Sequence, residues 1–185
     1  MLIGGPNEYG QPIIDKYNAD WFSRSNGHNI DDAEVREKLT AQSLNYDVVL
    51  LHVHTMRDNQ NTLLKEIVKL WHKEDYSGLL IVTGSIITYY DDFKDPIEYW
   101  GYTAQKSYTD TLCRVISKKF IQGKIKFKTS VIKPGQLDVA RAREKKHFVN
   151  GLPPESFCDA VSFIIDQPYD VVIPEIVLDV KYHGK

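Results

Sequence analysis

Two short apolar runs constrain the fold of this chain more than any other feature. Residues 46–53 are YDVVLLHV and residues 78–84 are GLLIVTG. Neither run alternates between apolar and polar side chains, as a strand with one wet face would. Strands that are apolar on both faces are typical of a parallel sheet with helices on each side. Both runs are also shorter than the roughly 20 residues that cross a bilayer. They therefore predict a buried parallel sheet.

Helical patterns separate the apolar runs along the whole chain. Strands are expected at residues 1–3, 19–23, 46–53, 78–84, 124–132 and 170–180. Helices are expected at residues 12–18, 30–43, 59–74, 101–120 and 153–166. Pro174 places the last strand at an edge or a bend, because proline cannot donate a ladder hydrogen bond. This alternation predicts an α/β fold, a three-layer sandwich with a mostly parallel sheet, in a single domain over residues 1–185.

Charge and cysteine content narrow the class of protein. The net charge is −2, which gives no electrostatic basis for binding nucleic acid or an anionic membrane. The N-terminal residues MLIGGPNEYG contain no basic or extended apolar region, so no secretory signal is expected. Cys113 and Cys158 lie far apart without metal-type spacing. We expect a cytoplasmic protein with reduced thiols.

Two histidines are candidates for metal ligands. His52 and His54 alternate in a strand and so share one face. No carboxylate or cysteine stands at a suggestive spacing to complete a site. Structural hydrogen bonding is therefore the favoured interpretation, and no metal is predicted.

The segment GGPNEYG follows the first strand, at the edge where parallel sheets bind ligands. Gly4, Gly5 and Gly10 can let the backbone approach a pyrophosphate. Gly4 and Gly10 have the spacing of the outer glycines of a dinucleotide-binding turn, while Asn7 or Glu8 takes the middle position. An ordinary surface turn explains the same segment at least as well.

The segment SRSNG follows the second strand, where an acidic residue often holds the ribose of NAD. Ser23 and Arg24 stand there instead. Arginine cannot accept a hydrogen bond, but it can pair with a 2′-phosphate. A bound cofactor would therefore be NADP(H) rather than NAD(H), unless Arg24 is only an exposed turn residue.

A tyrosine and a lysine four residues apart open the long helix after the strand GLLIVTG. Tyr102 and Lys106 would share a helix face, and the lysine charge would favour the phenolate. A chain with this composition contains about one such pair by chance, and Tyr90–Lys94 is a second. Only Tyr102 and Lys106 follow a serine at a strand end, Ser85.

The ordered set of segments resembles the short-chain dehydrogenase/reductase family. GYTAQKSYTDTLCRVISKKF looks like the family's Tyr-x-Ala-x-Lys helix, and GLLIVTGSI resembles its serine-bearing strand. VIKPGQLDV resembles its Pro-Gly loop, and LPPESFCDAVSFIID its late helix. SRSNGHNIDDAEVREKL is similar to its NADP-type second strand and the short strand that follows. The resemblance implies a Rossmann-type, doubly wound sheet and an oxidoreductase that interconverts a carbonyl and an alcohol on a small molecule.

The resemblance also implies residue roles. Tyr102 would be the general acid/base, Lys106 would hold the nicotinamide ribose, and Ser85 would bind the substrate oxygen. The family's helix asparagine best matches Asn59, with Asn61 second. The cofactor-binding residues would be Gly4, Gly5, Asn7, Gly10, Ser23, Arg24, Ser25, Asn29, Ile30, Lys106, Pro134 and Gly135. Homodimers or homotetramers would pack through the helices at 59–74 and 101–120.

The chain departs from the family pattern mainly on the cofactor side. The glycine turn lacks its middle glycine, and His54 stands where a glycine would let adenosine pass. Ser85 and Tyr102 are 17 positions apart, which is longer than usual, and Val139 replaces a common threonine. Epimerase or dehydratase chemistry on the same three residues is one variation. A catalytically inactive, reductase-like nucleotide-binding or interaction protein is the alternative of a different class.

Overall fold

A computed structural model describes residues 1–53, 58–89, 97–144 and 150–180 and contains a six-stranded sheet. The strands are β1 (Leu2–Ile3), β2 (Trp21–Phe22), β3 (Val48–Leu51), β4 (Leu79–Thr83), β5 (Lys128–Pro134) and β6 (Glu175–Leu178). Their order is β2-β1-β3-β4-β5-β6, and every pairing is parallel. The winding reverses at β1, which makes this a doubly wound, Rossmann-type sheet. The predicted fold class is confirmed.

Helices cover both faces of the sheet. They are α1 (Gln11–Tyr17), α2 (Ala33–Gln42), α3 (Asn59–Lys73), α4 (Ile97–Ile121), α5 (Ala140–Arg143) and α6 (Pro154–Ile165). The core on one face contains apolar side chains of α2, α3 and α4, and the core on the other contains those of α1 and α6. Each strand of β3 and β4 contributes to both cores, which explains why these strands are apolar throughout. None of the helices within the described ranges is long and apolar enough to cross a membrane.

Two segments differ from the sequence prediction. The strand expected at 124–132 begins at Lys128 and continues to Pro134, because the chain first leaves α4 through Gly123 at a φ of 67°. Residues 28–32, all of them described, form turns rather than the short strand implied by the family resemblance. The reason is local, since the Asp32 side chain accepts from the Glu34 N–H and starts α2 at once.

Candidate active site

The carboxyl end of β4 brings Ser85, Tyr102 and Lys106 together. Ser85 lies two residues beyond β4, and its hydroxyl accepts from the Ile87 N–H at 3.3 Å. The same side chain lies close enough to Tyr102 on α4 to lower the pKa of its phenol. One turn further along α4, the Nζ atom of Lys106 lies 5.6 Å from the centroid of the Tyr102 ring. The longer sequence spacing between Ser85 and Tyr102 therefore does not separate the two side chains.

The ionisation of Tyr102 is governed by burial. Burial raises the pKa of Tyr102 above its ordinary value, and the interaction with Ser85 only partly offsets this. The phenol is therefore protonated at neutral pH.

Lys106 is held in the interior by neutral oxygens. Its side chain is buried, with a residue exposure of 3%. Its Nζ donates to Gln60 Oε1 at 2.8 Å and to the carbonyl oxygen of Thr83 at 3.0 Å. Burial lowers the pKa of Lys106 from 10.5 to about 8, against an opposing effect of Asp110.

Gln60, rather than Asn59, is the residue of α3 that is hydrogen-bonded to Lys106. Asn59 instead donates to Asp31 Oδ1 at 2.5 Å, and Asn61 donates to the Gln105 carbonyl at 3.0 Å. One position along a helix rotates the side chain by about 100°. Gln60 is thus the residue of α3 that faces β4, where its amide also donates to the Thr83 carbonyl at 3.0 Å. Sequence reasoning missed it because only asparagines were considered.

The side chain of Asn7 closes the glycine turn after β1 through hydrogen bonds to the backbone of the turn. Gly4 has a φ of 156°, and a Cβ there would overlap the carbonyl oxygen of His52. A Cβ on Gly10 would overlap the carbonyl oxygen of Gly5. Asn7 Oδ1 accepts from the N–H groups of Tyr9 and Gly10 at 3.0 and 2.8 Å. The turn thus needs its two outer glycines and is fixed by Asn7.

A second group of predicted residues lies at the end of β2. Ser23 Oγ accepts from the Ser25 N–H at 3.2 Å and caps a short 3₁₀ turn. The Arg24 side chain is 76% exposed, and its guanidinium reaches Asn29 and Asp31 at 3.3 Å. Ile30, in contrast to the other predicted residues, is buried in the core beside α2.

The predicted Pro134–Gly135 loop, at the end of β5, is hydrogen-bonded to the end of β6. The Gly135 N–H donates to the Leu178 carbonyl at 2.7 Å, and a Cβ on Gly135 would overlap the Asp179 carboxylate. A larger residue at this position would therefore displace the exposed Asp179 side chain. Three residues named in the sequence analysis, His54, Tyr90 and Lys94, lie outside the described residues.

His52 is buried and makes the contacts of a structural histidine rather than of a metal ligand. Its Nδ1 is hydrogen-bonded to Thr83 Oγ1 at 3.0 Å, and its ring lies 4.9 Å from the ring of Phe157. No group of three or more His, Cys, Asp or Glu within the described ranges is placed to hold a metal ion.

Comparison with known proteins places this geometry in a familiar architecture. No protein-family model matches the sequence, and no curated protein matches it. Among solved structures, a serine dehydrogenase complexed with NADP+ matches with a TM-score of 0.67 and 13% identity, over 100% of this chain and 98% of that one. A short-chain dehydrogenase from Burkholderia cenocepacia J2315 in complex with NADP matches with a TM-score of 0.70 and 10% identity, over 96% and 86%. A 4-hydroxyisoleucine dehydrogenase complexed with NADH matches with a TM-score of 0.67 and 15% identity, over 100% and 99%. This chain has the short-chain dehydrogenase/reductase fold.

In such a fold, ligands bind in a crevice beyond the carboxyl ends of the strands. Hydrogen-bond donors at both ends of this crevice could hold a phosphorylated dinucleotide. The exposed guanidinium of Arg24 and the hydroxyls of Ser23 and Ser25 are the kind of donors that suit a phosphate. At the other end, the Lys106 ammonium lies beside Tyr102 and could reach a ribose. Gly4 keeps the backbone conformation that a close turn needs. Glu8, in the same turn as Gly4, does not suit a phosphorylated ligand, because its exposed side chain is a carboxylate.

A second buried lysine lies beside this site, and the sequence did not reveal it. Lys133 Nζ is 2.8 Å from Asp110 Oδ2 and 2.8 Å from Glu175 Oε2. It also lies 4.5 Å from the centroid of the Tyr89 ring. Thr88 Oγ1 donates to the same Asp110 oxygen at 2.8 Å. We call these five residues the Lys133 cluster; it ties the turn after Ser85 to α4, β5 and β6.

Proposed function

We propose that this protein is an NADP(H)-dependent oxidoreductase of the short-chain dehydrogenase/reductase type that interconverts a carbonyl and an alcohol on a small molecule. The observation that supports this best is the position of the Lys106 ammonium 5.6 Å from the Tyr102 ring, with Ser85 close enough to lower the pKa of the Tyr102 phenol. The residues lie at the carboxyl end of a parallel sheet, where such folds bind ligands. When bound, the nicotinamide would supply or accept the hydride.

Tyr102 is the proton donor for a carbonyl oxygen in this proposal. Because its pKa is raised by burial, it carries its proton at neutral pH. Ser85, which lies close to the phenol, would orient the same substrate oxygen. Lys106 would bind the ribose and favour the phenolate that remains after proton transfer. Gln60 would set the direction of the Lys106 ammonium through its 2.8 Å hydrogen bond.

The cofactor preference in this proposal comes from the end of β2. Arg24, flanked by Ser23 and Ser25, would hold the 2′-phosphate of NADP(H), since the guanidinium is exposed and held only by contacts of 3.3 Å. The turn at Gly4, Gly5, Asn7 and Gly10 and the loop at Pro134–Gly135 would border the rest of the dinucleotide.

A catalytically inactive, nucleotide-binding or interaction protein is the second candidate. One observation favours it, namely that Asn7 already occupies the N–H groups of Tyr9 and Gly10 that a phosphate would use. The two candidates differ in whether bound cofactor is turned over.

Titration of the protein with NADPH and with NADH, followed by cofactor fluorescence, tests the proposal. We expect binding with a preference for NADPH. We also expect Tyr102→Phe to keep NADPH binding within about twofold, while NADPH oxidation with any carbonyl substrate found falls by at least about a hundredfold.

The matched control is Tyr108→Phe, which removes a hydroxyl from an exposed tyrosine on the same helix. Absence of binding to both cofactors at millimolar concentration contradicts the proposal. Binding without turnover of a broad panel of carbonyl compounds favours the inactive candidate.

A further inference from the structure

Two consecutive residues of the glycine turn reach across the crevice to the segment that follows β5. The Tyr9 hydroxyl accepts from the Asp138 N–H at 2.8 Å and donates to the carbonyl oxygen of Leu152. Glu8 Oε1 accepts from the Ala140 N–H at 3.3 Å. Because β3 and β4 lie between β1 and β5 in the sheet, these contacts pass over the ends of two strands. We call them the turn–loop bridge.

The Tyr9 half of the bridge is firmly built. Tyr9 is 1% exposed, and its ring lies 5.9 Å from the ring of Phe157 and 6.4 Å from that of His52. Its two hydroxyl contacts satisfy both the donor and the acceptor capacity of the phenol within a buried site. Burial raises the pKa of Tyr9 to about 12, so the hydroxyl keeps its proton. The turn is therefore anchored to the loop.

The anchoring determines where Glu8 stands. On one side of it, Asn7 Oδ1 accepts two turn N–H groups, and on the other side Tyr9 is buried. The backbone of Glu8 is thus held between two fixed neighbours. Its carboxylate projects into the crevice, towards the first residue of α5.

Among the side chains that the structure describes, Arg143 is the cation that interacts with Glu8. Arg143 also serves a second carboxylate, because its Nε bonds Asp138 Oδ1 at 2.6 Å. Glu8, Asp138 and Arg143 together carry a charge of about −1 at neutral pH. A dinucleotide pyrophosphate that sits at this turn adds two more negative charges. Like charges that approach within a few ångströms repel each other.

We propose that Glu8 is an affinity-determining residue that opposes the pyrophosphate of a dinucleotide and keeps cofactor binding weak. This inference rests on the proposed function, because it assumes that a dinucleotide is the ligand. The turn lacks its middle glycine, and the inference attributes the resulting weak dinucleotide binding to the Glu8 carboxylate. Removal of the charge should strengthen dinucleotide binding without any change at Ser85, Tyr102 or Lys106.

Isothermal titration calorimetry with NADPH compares the wild type with Glu8→Gln and Glu8→Gly. We expect both variants to bind NADPH about tenfold more tightly at low salt, and the gain to shrink at higher ionic strength. The second probe is adenosine 2′-monophosphate, which carries the 2′-phosphate but no pyrophosphate. We expect its affinity to be the same for all three proteins. Glu74→Gln is the matched control, because it removes an exposed carboxylate at the end of α3, near the amino end of β4 and so at the opposite ends of the strands from the glycine turn.

The outcomes separate this inference from the proposed function. If the wild type binds NADPH and the Glu8 variants bind it equally well, the inference is overturned while the proposed function stands. If an equal gain occurs with adenosine 2′-monophosphate or with Glu74→Gln, general charge explains it and the inference is also overturned. If only the Glu8 variants bind NADPH, the inference is supported. If none of the proteins binds NADPH at millimolar concentration, both are overturned.

Discussion

Lys106 and Lys133 both have little exposed surface and lie towards the carboxyl ends of neighbouring strands, yet their pKa values shift in opposite directions. Their exposures are 3% and 5%. Burial lowers the pKa of Lys106 to about 8, because its hydrogen-bond acceptors are the neutral oxygens of Gln60 and Thr83. Burial also lowers the pKa of Lys133, but hydrogen bonds to Asp110 and Glu175 outweigh it, and the net pKa lies above its ordinary value.

The comparison shows that the charge of its partners, together with the depth of the ammonium group, decides what a buried lysine does. Lys133 is a permanently charged tie between α4, β5 and β6. Lys106 is a charge that the interior tolerates poorly and that titrates within reach of physiological pH. A lysine paired with carboxylates and a lysine held by neutral oxygens therefore lie side by side, with Asp110 between them on the helix face of Lys106. The following predictions test that division.

The largest effect is expected from Lys133→Met. This change leaves the Asp110 carboxylate, 11% exposed, without its cation. Glu175 is 43% exposed and can be hydrated instead. Removal of one partner of a buried pair costs about 3 kcal/mol of unfolding free energy, measured by urea denaturation. Lys126→Met is the matched control, because the Lys126–Asp75 pair lies at the surface and its loss should barely change stability. A loss below about 1 kcal/mol for Lys133→Met would show that the cluster is not a structural tie.

The next effect is a pH dependence that only Lys106 should produce. The folded pKa of Lys106 is about 8 and the reference value is 10.5, so the unfolded state binds more protons between these values. Stability of the wild type relative to Lys106→Met should therefore rise by about 3 kcal/mol from pH 8 to pH 10.5, and should be flat below pH 7. The measurement is urea unfolding of both proteins across this range.

Lys133 provides the contrast within the same experiment. Since its folded pKa is raised, its stabilisation is present below pH 10.5 and is lost only as pH rises through the folded value. Stability of the wild type relative to Lys133→Met should thus stay constant from pH 8 to pH 10. A rise like that of Lys106 would contradict the assignment of the two roles.

The sequence predicted the Lys106 side of this comparison because its signal is local. Tyr102 and Lys106 share a face through helix periodicity alone, and Ser85 follows an apolar strand directly. The strands β3 and β4 were predictable for a similar reason, since their apolar character on both faces is written in consecutive residues.

The Lys133 side was not predictable because its partners come from three separate elements. Asp110 lies on α4, Glu175 on β6, and Tyr89 in the turn after β4, and only the folded sheet brings them to Lys133. Nothing in the strand sequence KTSVIKP distinguishes a buried lysine from an exposed one. The contact of Gln60 with Lys106 was not predictable either, since the family resemblance pointed to an asparagine, Asn59 or Asn61, on the same helix.

The smallest effect, and the sharpest test of the comparison, is expected from Gln60→Glu. This change replaces the neutral acceptor of Lys106 at 2.8 Å with a carboxylate and so gives Lys106 the kind of partner that Lys133 has. An opposite charge at this distance favours the protonated amine, so the pKa of Lys106 should rise towards its ordinary value. Stability relative to the Gln60→Glu/Lys106→Met double variant should then rise by less than about 1.5 kcal/mol from pH 8 to pH 10.5.

Gln60→Met serves as the control for this experiment. It removes the acceptor without adding charge, so the rise with pH should remain as large as in the wild type or exceed it. If Gln60→Glu leaves the pH-dependent rise unchanged, then burial alone sets the ionisation of Lys106, and the partners are not what distinguishes the two lysines. If the rise disappears, a single oxygen-for-nitrogen exchange converts a titrating lysine into a permanently charged one, because the added carboxylate compensates the cost of burying Lys106 even though the Gln60 donor to the Thr83 carbonyl is lost.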